Sequence, residues 1–253
     1  MNDDNKIVKY DNTFNKTSLT VFSKVEANVL MSVLSCMDEK FTKNGESRYS
    51  AVFEFSEIRE LTNAKSLHTS RIKKALDALL DTKIEFYRNG SHVKGNLFSH
   101  YEVNMNGQAE IELTTYMSEK MNLEKGNFTI LQLNEYNSLP NSYSKELYRM
   151  LRQFRHKGFF VINKNELIRM MEPPKSYNEY DFVRKVLLPA IEENKKYFEN
   201  LTINVQPKNV LPNVVEFTFK KHKRIKSKKI ETKNEKEELR ELDMIEYVKT
   251  HGG

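Results

Sequence analysis

The chain's 253 residues include 41 basic and 35 acidic side chains, with 38% hydrophobic and 30% charged residues, which suits a folded, water-soluble chain long enough for two domains of about 110 residues or for one large one. With only 8 Gly and 6 Pro it is not loop-rich, no apolar run reaches the roughly 18 residues of a membrane span, and Met1-Asn2-Asp3-Asp4-Asn5-Lys6 is too polar for a secretion signal. The single Cys36 lies among Val33, Leu34 and Met37, so it reads as a core thiol in a reducing, cytoplasmic setting.

In chain order, Leu19 to Lys40 reads as a helix with Val25, Val29, Val33 and Met37 at helical spacing. Tyr49 to Phe55 alternates as a strand, and Ser56 is a candidate cap for a short helix carrying Ile58 and Leu61. A second helix over Ser66–Asp81 buries Ile72, Ala75, Leu76, Leu79 and Leu80. Strands are expected at Ile84–Tyr87, Leu97–Met105 and Ala109–Thr115, with Asn89-Gly90 and Asn106-Gly107 as turns, and Tyr116–Leu123 closes as a helix.

The second half repeats the order. Phe128–Leu133 leads into a turn, a helix runs from Ser142 to Arg155, and Gly158–Ile162 is a strand. Asn163 with Glu166 resembles a capping box for the helix Leu167–Met171, which Pro173-Pro174 ends. Asn178 opens a long helix burying Phe182, Val183, Val186, Leu187, Ala190 and Ile191; Pro189 inside it removes a backbone donor and predicts a kink. Strands at Leu201–Val205 and Val214–Phe219 flank a Pro-Lys-Asn turn. Helix, strand, short helix, long helix and hairpin, twice over, predict an α+β chain of two tandem winged-helix domains related by a pseudo-repeat. The expected division is 1–125, 126–222 and a basic, then acidic tail at 223–253, partly disordered, with Leu239, Leu242, Ile245 and Val248 at helical spacing.

Charge is unevenly spread. Residues 1–133 carry 17 basic and 18 acidic side chains, residues 134–219 carry 13 and 10, and Lys220–Lys229 adds seven cations. Such a concentrated excess suits a polyanion, although Lys220–Lys229 alone also reads as a solvated run. In a winged helix the long second helix enters the major groove of duplex DNA by its first turns. Here that start is Lys175, Ser176, Tyr177, Asn178 and Tyr180, followed by Arg184 and Lys185 opposite the apolar stripe. Arg forks onto guanine O6 and N7, and Asn pairs with adenine, so Arg184 and Asn178 are the base-reading candidates, with Lys185 and Lys175 on phosphates. The blander alternative makes Asn178 a helix cap and Arg184 a solvated side chain.

In the first half the equivalent helix offers His68, Thr69, Arg71, Lys73 and Lys74, for auxiliary DNA contact or beside a dimer-forming surface. Lys145, Arg149, Arg152 and Arg155 predict a basic stripe, and Lys208, Lys220 and Lys221 are placed to track the backbone. The histidines at 68, 92, 100, 156, 222 and 251 include no pair around one apolar residue, as DNA nicking enzymes require. Gly90 and Gly95 have phosphate-loop spacing, but Asn96-Leu97 follows where Lys and Ser or Thr are needed, and no Cys/His cluster offers a metal site. No catalytic residue, metal or cofactor is expected.

Tyr180-Asp181-Phe182-Val183-Arg184-Lys185-Val186-Leu187-Leu188-Pro189-Ala190-Ile191-Glu192-Glu193-Asn194 resembles the recognition helix of the Rep superfamily of plasmid replication initiators. Ser144 to Leu151 and Phe160 to Met171 resemble the same family, and Asn15 to Asp38 more loosely. The resemblance spans about residues 5–222, and the tail beyond Lys223 departs from it. It implies binding to iterons, direct repeats of double-stranded DNA at a plasmid origin, followed by strand opening and recruitment of host initiator and helicase machinery. It also implies a homodimer through the first domain that represses its own gene, in equilibrium with a monomer that binds iterons with both domains. Two alternatives stay open: a winged-helix transcriptional regulator without an initiation role, and an interaction scaffold that binds no DNA.

Overall fold

A computed structural model describes residues 6–44, 48–64, 66–88, 91–122, 127–206 and 210–222. The Asn89-Gly90 turn, Lys208 and the 223–253 tail lie outside the described residues. Contacts group Met1–Leu123 with Phe128–Ser142 as unit 1, and Glu124–Asn127 with Tyr143–Gly253 as unit 2.

Unit 1 runs β1 (Ile7–Asp11), a 3-10 turn (Asn12–Lys16), α1 (Lys24–Leu34), α2 (Met37–Lys40), β2 (Thr42–Asn44), β3 (Arg48–Glu54), α3 (Phe55–Leu61), α4 (Thr69–Asp81), β4 (Ile84–Arg88), β5 (Ser91–Gly95), β6 (Phe98–Val103), β7 (Gln108–Leu113), α5 (Thr115–Met121), β8 (Phe128–Gln132) and α6 (Leu133–Ser138). The expected helix from Leu19 starts later, at a capping box. The Glu26 amide donates to Ser23 Oγ (3.4 Å), and the Ser23 amide donates to Glu26 Oε2 (2.8 Å), satisfying two donors the helix ladder leaves open. Its buried face, with Val29, Leu30 and Val33, packs against α4, which buries Ile72, Leu76 and Leu79. Cys36 is fully buried as expected, and burial pushes its thiol above the ordinary range despite the nearby Lys6 ammonium.

Unit 2 runs α7 (Ser142–Gln153), β9 (Phe159–Asn163), α8 (Lys164–Met171), α9 (Glu179–Phe182), a π turn (Val183–Leu187), α10 (Leu188–Asn194), β10 (Thr202–Ile203) and β11 (Val214–Thr218). Its core is an aromatic spine: Phe154, Phe160 and Phe217 stack with centroids 4.8 and 5.7 Å apart, and Tyr148 meets Phe198 edge-on at 5.8 Å. Gly158 (φ +83°) lets the chain after β11 pass close; a Cβ there would sit 3.1 Å from the Phe219 carbonyl oxygen.

The two units share one topology. In each, the strand after the first long helix pairs antiparallel with the last strand of the wing, β3 with β7 and β9 with β11. The middle wing strand, β6 or β10, lies outside that pair, giving sheet orders β2-β3-β7-β6 and β10-β11-β9. This is the winged-helix arrangement twice over in an α+β chain. Unit 1 adds β2 at one edge and the hairpin β4–β5 after α4.

The expected boundary at 125/126 falls too early. β8 pairs with β1 along Ile7↔Gln132 to Asp11↔Phe128, and the Leu133 amide donates to the Lys6 carbonyl (2.9 Å). Asn137 Nδ2 then donates to the Leu61 carbonyl (2.8 Å) and Ser32 Oγ (3.3 Å), so Phe128–Ser142 is fastened to unit 1. Among the described residues no helix is long and apolar enough to cross a membrane.

Candidate nucleic-acid interface

In unit 2 the helix pair α8 and α9 is joined by Glu172 to Asn178. Leu167, Met170 and Met171 bury one side of α8, and Glu172 closes it in a left-handed conformation (φ 42°, ψ 58°), which costs an ordinary side chain about 1–2 kcal/mol. Pro173 and Pro174 then prevent helical continuation. The Tyr177 amide donates back to the Pro174 carbonyl (2.9 Å), and Asn178 caps the next helix by accepting from the Asp181 amide (2.9 Å). Asn163 caps α8 by accepting from the Asn165 amide (2.9 Å), while Glu166 turns instead to Arg169, so the expected capping box is only half formed.

From Glu179 to Asn194 the helix is one rod with a π turn at its centre. Phe182, Val183, Val186, Leu187, Ala190 and Ile191 are buried as expected, and the fully buried Asn194 donates to the Ser144 (2.9 Å) and Ala190 (2.8 Å) carbonyls. Arg184 and Lys185 lie on the opposite, exposed side. Arg184 lies over the Tyr180 ring, 5.7 Å from its centroid. Lys185 bridges Asp181 (2.8 Å) and sits 4.7 Å over the Tyr177 ring. Cation–π and i,i+4 contacts of this kind restrict long side chains before any ligand arrives. Lys175 and Ser176 are exposed in the turn just ahead, Tyr177 is half-buried, and Tyr180 is exposed.

An acid such as Glu179 is out of keeping with a polyanion surface, yet it is committed inward. Its Oε1 accepts from the Leu211 amide (2.8 Å), and its Oε2 meets Lys164 Nζ (3.1 Å). Partial burial alone would raise its pKa, but the amide and the ammonium outweigh that and hold the carboxyl below the usual range. The Lys164 amide also donates to the Asn213 carbonyl (2.9 Å), so the segment just before β11 is held at two points, Leu211 and Asn213, against the starts of α9 and α8. Lys164 and the Glu179 strap were missed by sequence reasoning; an acid following a cap residue signals only helix-dipole complementarity.

Elsewhere the expectations divide. Lys220 is exposed but bridges Glu199 (2.7 Å), and Lys221 is exposed. In unit 1, His68 precedes α4 without a side-chain cap bond, and Thr69 accepts from Arg59 (3.2 Å). Arg71, Lys73 and Lys74 are exposed, with Lys73 5.8 Å over the Phe55 ring. The basic stripe expected on α7 is not a surface: Lys145, Arg149 and Arg152 are buried, Arg155 half-buried, and Arg149 is paired with buried Glu146 at 2.9 Å. The Arg149–Glu146 pair offsets a charge held out of water, and Arg152 lies 5.6 Å over the Tyr148 ring. Among the described residues, no group of three or more His, Cys, Asp or Glu is placed to hold a metal ion.

A family model described as "Initiator Replication protein, WH1" matches residues 7–152, more than half of the chain. A curated relative, "Probable replication protein rep" of Bifidobacterium longum (strain NCC 2705), is 29% identical over 199 residues, covering 75% of this chain and 64% of its own length. The solved structure of the Pi initiator protein in complex with iteron DNA shares the fold at a TM-score of 0.64 and 19% identity, over 87% of this chain and 99% of that one. The chain belongs to the initiator replication protein family.

Proposed function

We propose that this chain initiates plasmid replication by binding double-stranded direct repeats at an origin, reading them with the exposed edge of the α9 rod. The observation that carries this reading is the restrained pair on that edge: Arg184 over Tyr180, and Lys185 between Asp181 and Tyr177, on a helix whose other face is buried. Restrained cations lose little further entropy on binding, and an Arg fork matches guanine O6 and N7 in the major groove. Asn178 is already engaged as the cap, so it offers DNA only what its remaining amide hydrogens supply. Arg184 is accordingly the base-reading residue, with Lys175, Lys185 and Lys221 on phosphates. His68, Arg71, Lys73 and Lys74 of α4 supply an auxiliary contact.

The relative named as a replication protein, and the fold-mate described with iteron DNA, support extending DNA reading to initiation. In this reading the protein is cytoplasmic, bacterial and non-enzymatic. It opens the origin, recruits host replication proteins, and represses its own gene as a dimer joined through unit 1. A footprint across DNA flanking the gene tests it. Protection of several tandem direct repeats, with strand opening nearby, is expected. A single protected inverted repeat without opening marks a transcriptional regulator, and no protection at low salt marks a scaffold.

A further inference from the structure

The α9 rod departs from α-helical geometry where its exposed cations lie. Its buried positions fall in two rows, Phe182, Val186, Ala190 and Asn194, and Val183, Leu187 and Ile191, each spaced by four residues. In a regular α-helix four residues advance about 400°, so three such steps wind a row about 120° around the rod and off the buried side. The rows stay buried because the turn at Val183–Leu187 is wider: the Leu188 amide donates to the Val183 carbonyl, five residues back. Such a turn is equivalent to one extra residue inserted into the α ladder.

Pro189 lies one residue beyond that bond and is exposed. It has no amide to return the ladder to the Lys185 carbonyl, and its ring would collide with that carbonyl in a regular helix. With the Leu188 amide on Val183, position 189 offers no donor to the Arg184 carbonyl five residues back either. The contacts of Arg184 with Tyr180 and of Lys185 with Asp181 are of the i,i+4 kind that any α-helix offers; what the wider turn adds is that both cations stay exposed while both rows stay buried.

We propose that Pro189 is a specificity-determining positioning residue: it holds the π turn that keeps Arg184 and Lys185 on the exposed edge while both rows behind them stay buried. Pro189 touches no DNA; it acts through the register of its neighbours. The part of this inference that concerns DNA rests on the function proposed above, whereas the register is a property of the free protein.

The test is the full-length Pro189→Ala variant beside the wild type, with two readouts. By NMR through-hydrogen-bond couplings, which identify the acceptor, the amide that the substitution creates at position 189 pairs with the Lys185 carbonyl, and the Leu188 amide moves to the Arg184 carbonyl four residues back. By fluorescence anisotropy on a duplex repeat and a scrambled duplex, the variant loses about tenfold to a hundredfold of discrimination, the worth of one bidentate base contact. Its thermal midpoint is lower, because the regular register turns part of the buried rows toward water and outweighs alanine's preference for the helix. A Leu188–Val183 bond retained in the variant overturns the proposal, and so does wild-type discrimination in a variant whose register has changed. If the wild type itself fails to discriminate, the DNA reading falls, and the hydrogen-bond couplings still decide whether Pro189 sets the register.

Discussion

α4 in unit 1 and the α9 rod in unit 2 hold the same place in their units' element order, and they are built differently. α4 is a regular helix of 13 residues with no side-chain cap, and of its exposed cations Lys73 lies over Phe55. The α9 rod is capped by Asn178, interrupted by a π turn, strapped to the chain after β10 by Glu179, and has both exposed cations, Arg184 and Lys185, restrained by aromatic rings. The sheets differ too. The outer face of unit 1's sheet presents Glu54, Glu102 and Glu110, with Glu102 directly opposite Glu110, while Glu112 is paired with Arg48 at 3.1 Å; the balance is acidic and disfavours phosphate. A shared topology therefore does not imply a shared task. In the proposed reading, restraint and charge favour unit 2 for base reading and leave unit 1 a lesser contact.

The largest effect expected concerns the electrostatics common to both units. If roughly six phosphates are neutralised, affinity falls about a thousandfold between 50 and 200 mM salt. A flat response in an anisotropy titration would leave neither unit with a phosphate-binding surface.

A smaller effect separates the helices. Replacing Lys73 and Lys74 together with Ala should weaken binding equally on specific and scrambled duplexes and lower the salt slope by about one unit for each phosphate no longer neutralised. A loss confined to the specific site would show α4 reading bases and abolish the distinction drawn between the units.

The smallest expected effect lies in the strap. The Glu179 carboxyl is held below its ordinary range, so its contribution is complete above the unfolded value of about 4.3 and is lost as pH falls through the lower folded value. Acid melting curves of Glu179→Gln should therefore be flatter than those of the wild type over that window, with faster exchange of the Leu211 amide at neutral pH. Parallel curves and unchanged exchange would make the strap incidental.

What the sequence disclosed followed range. Local chemistry was legible: the Asn178 cap, the proline stop at Pro173-Pro174 and the apolar stripe on the rod are set by neighbours within one or two turns. Pro189 marked the anomaly in the rod but not its form, because a four-residue burial period emerges only when the packed face is known. The β1–β8 pair was not legible, since Ile7 meets Gln132 through contacts that no local pattern encodes, and the domain boundary moved with it. The stripe at Lys145, Arg149 and Arg152 misled because spacing of cations says which face they share, not whether water covers it. Lys208, in the Pro-Lys-Asn turn, lies outside the described residues.

Base reading turns on Arg184 meeting a guanine in the major groove. The direct measurement is a scan of 7-deazaguanine, which lacks the N7 acceptor, through each guanine of the bound repeat, titrated with wild type and with Arg184→Ala. One position should weaken the wild type about tenfold and leave the variant unaffected, while Arg184→Ala loses about 1–3 kcal/mol of discrimination with its fold intact. If the variant discriminates as well as the wild type, or responds to every substitution as the wild type does, Arg184 does not read the site.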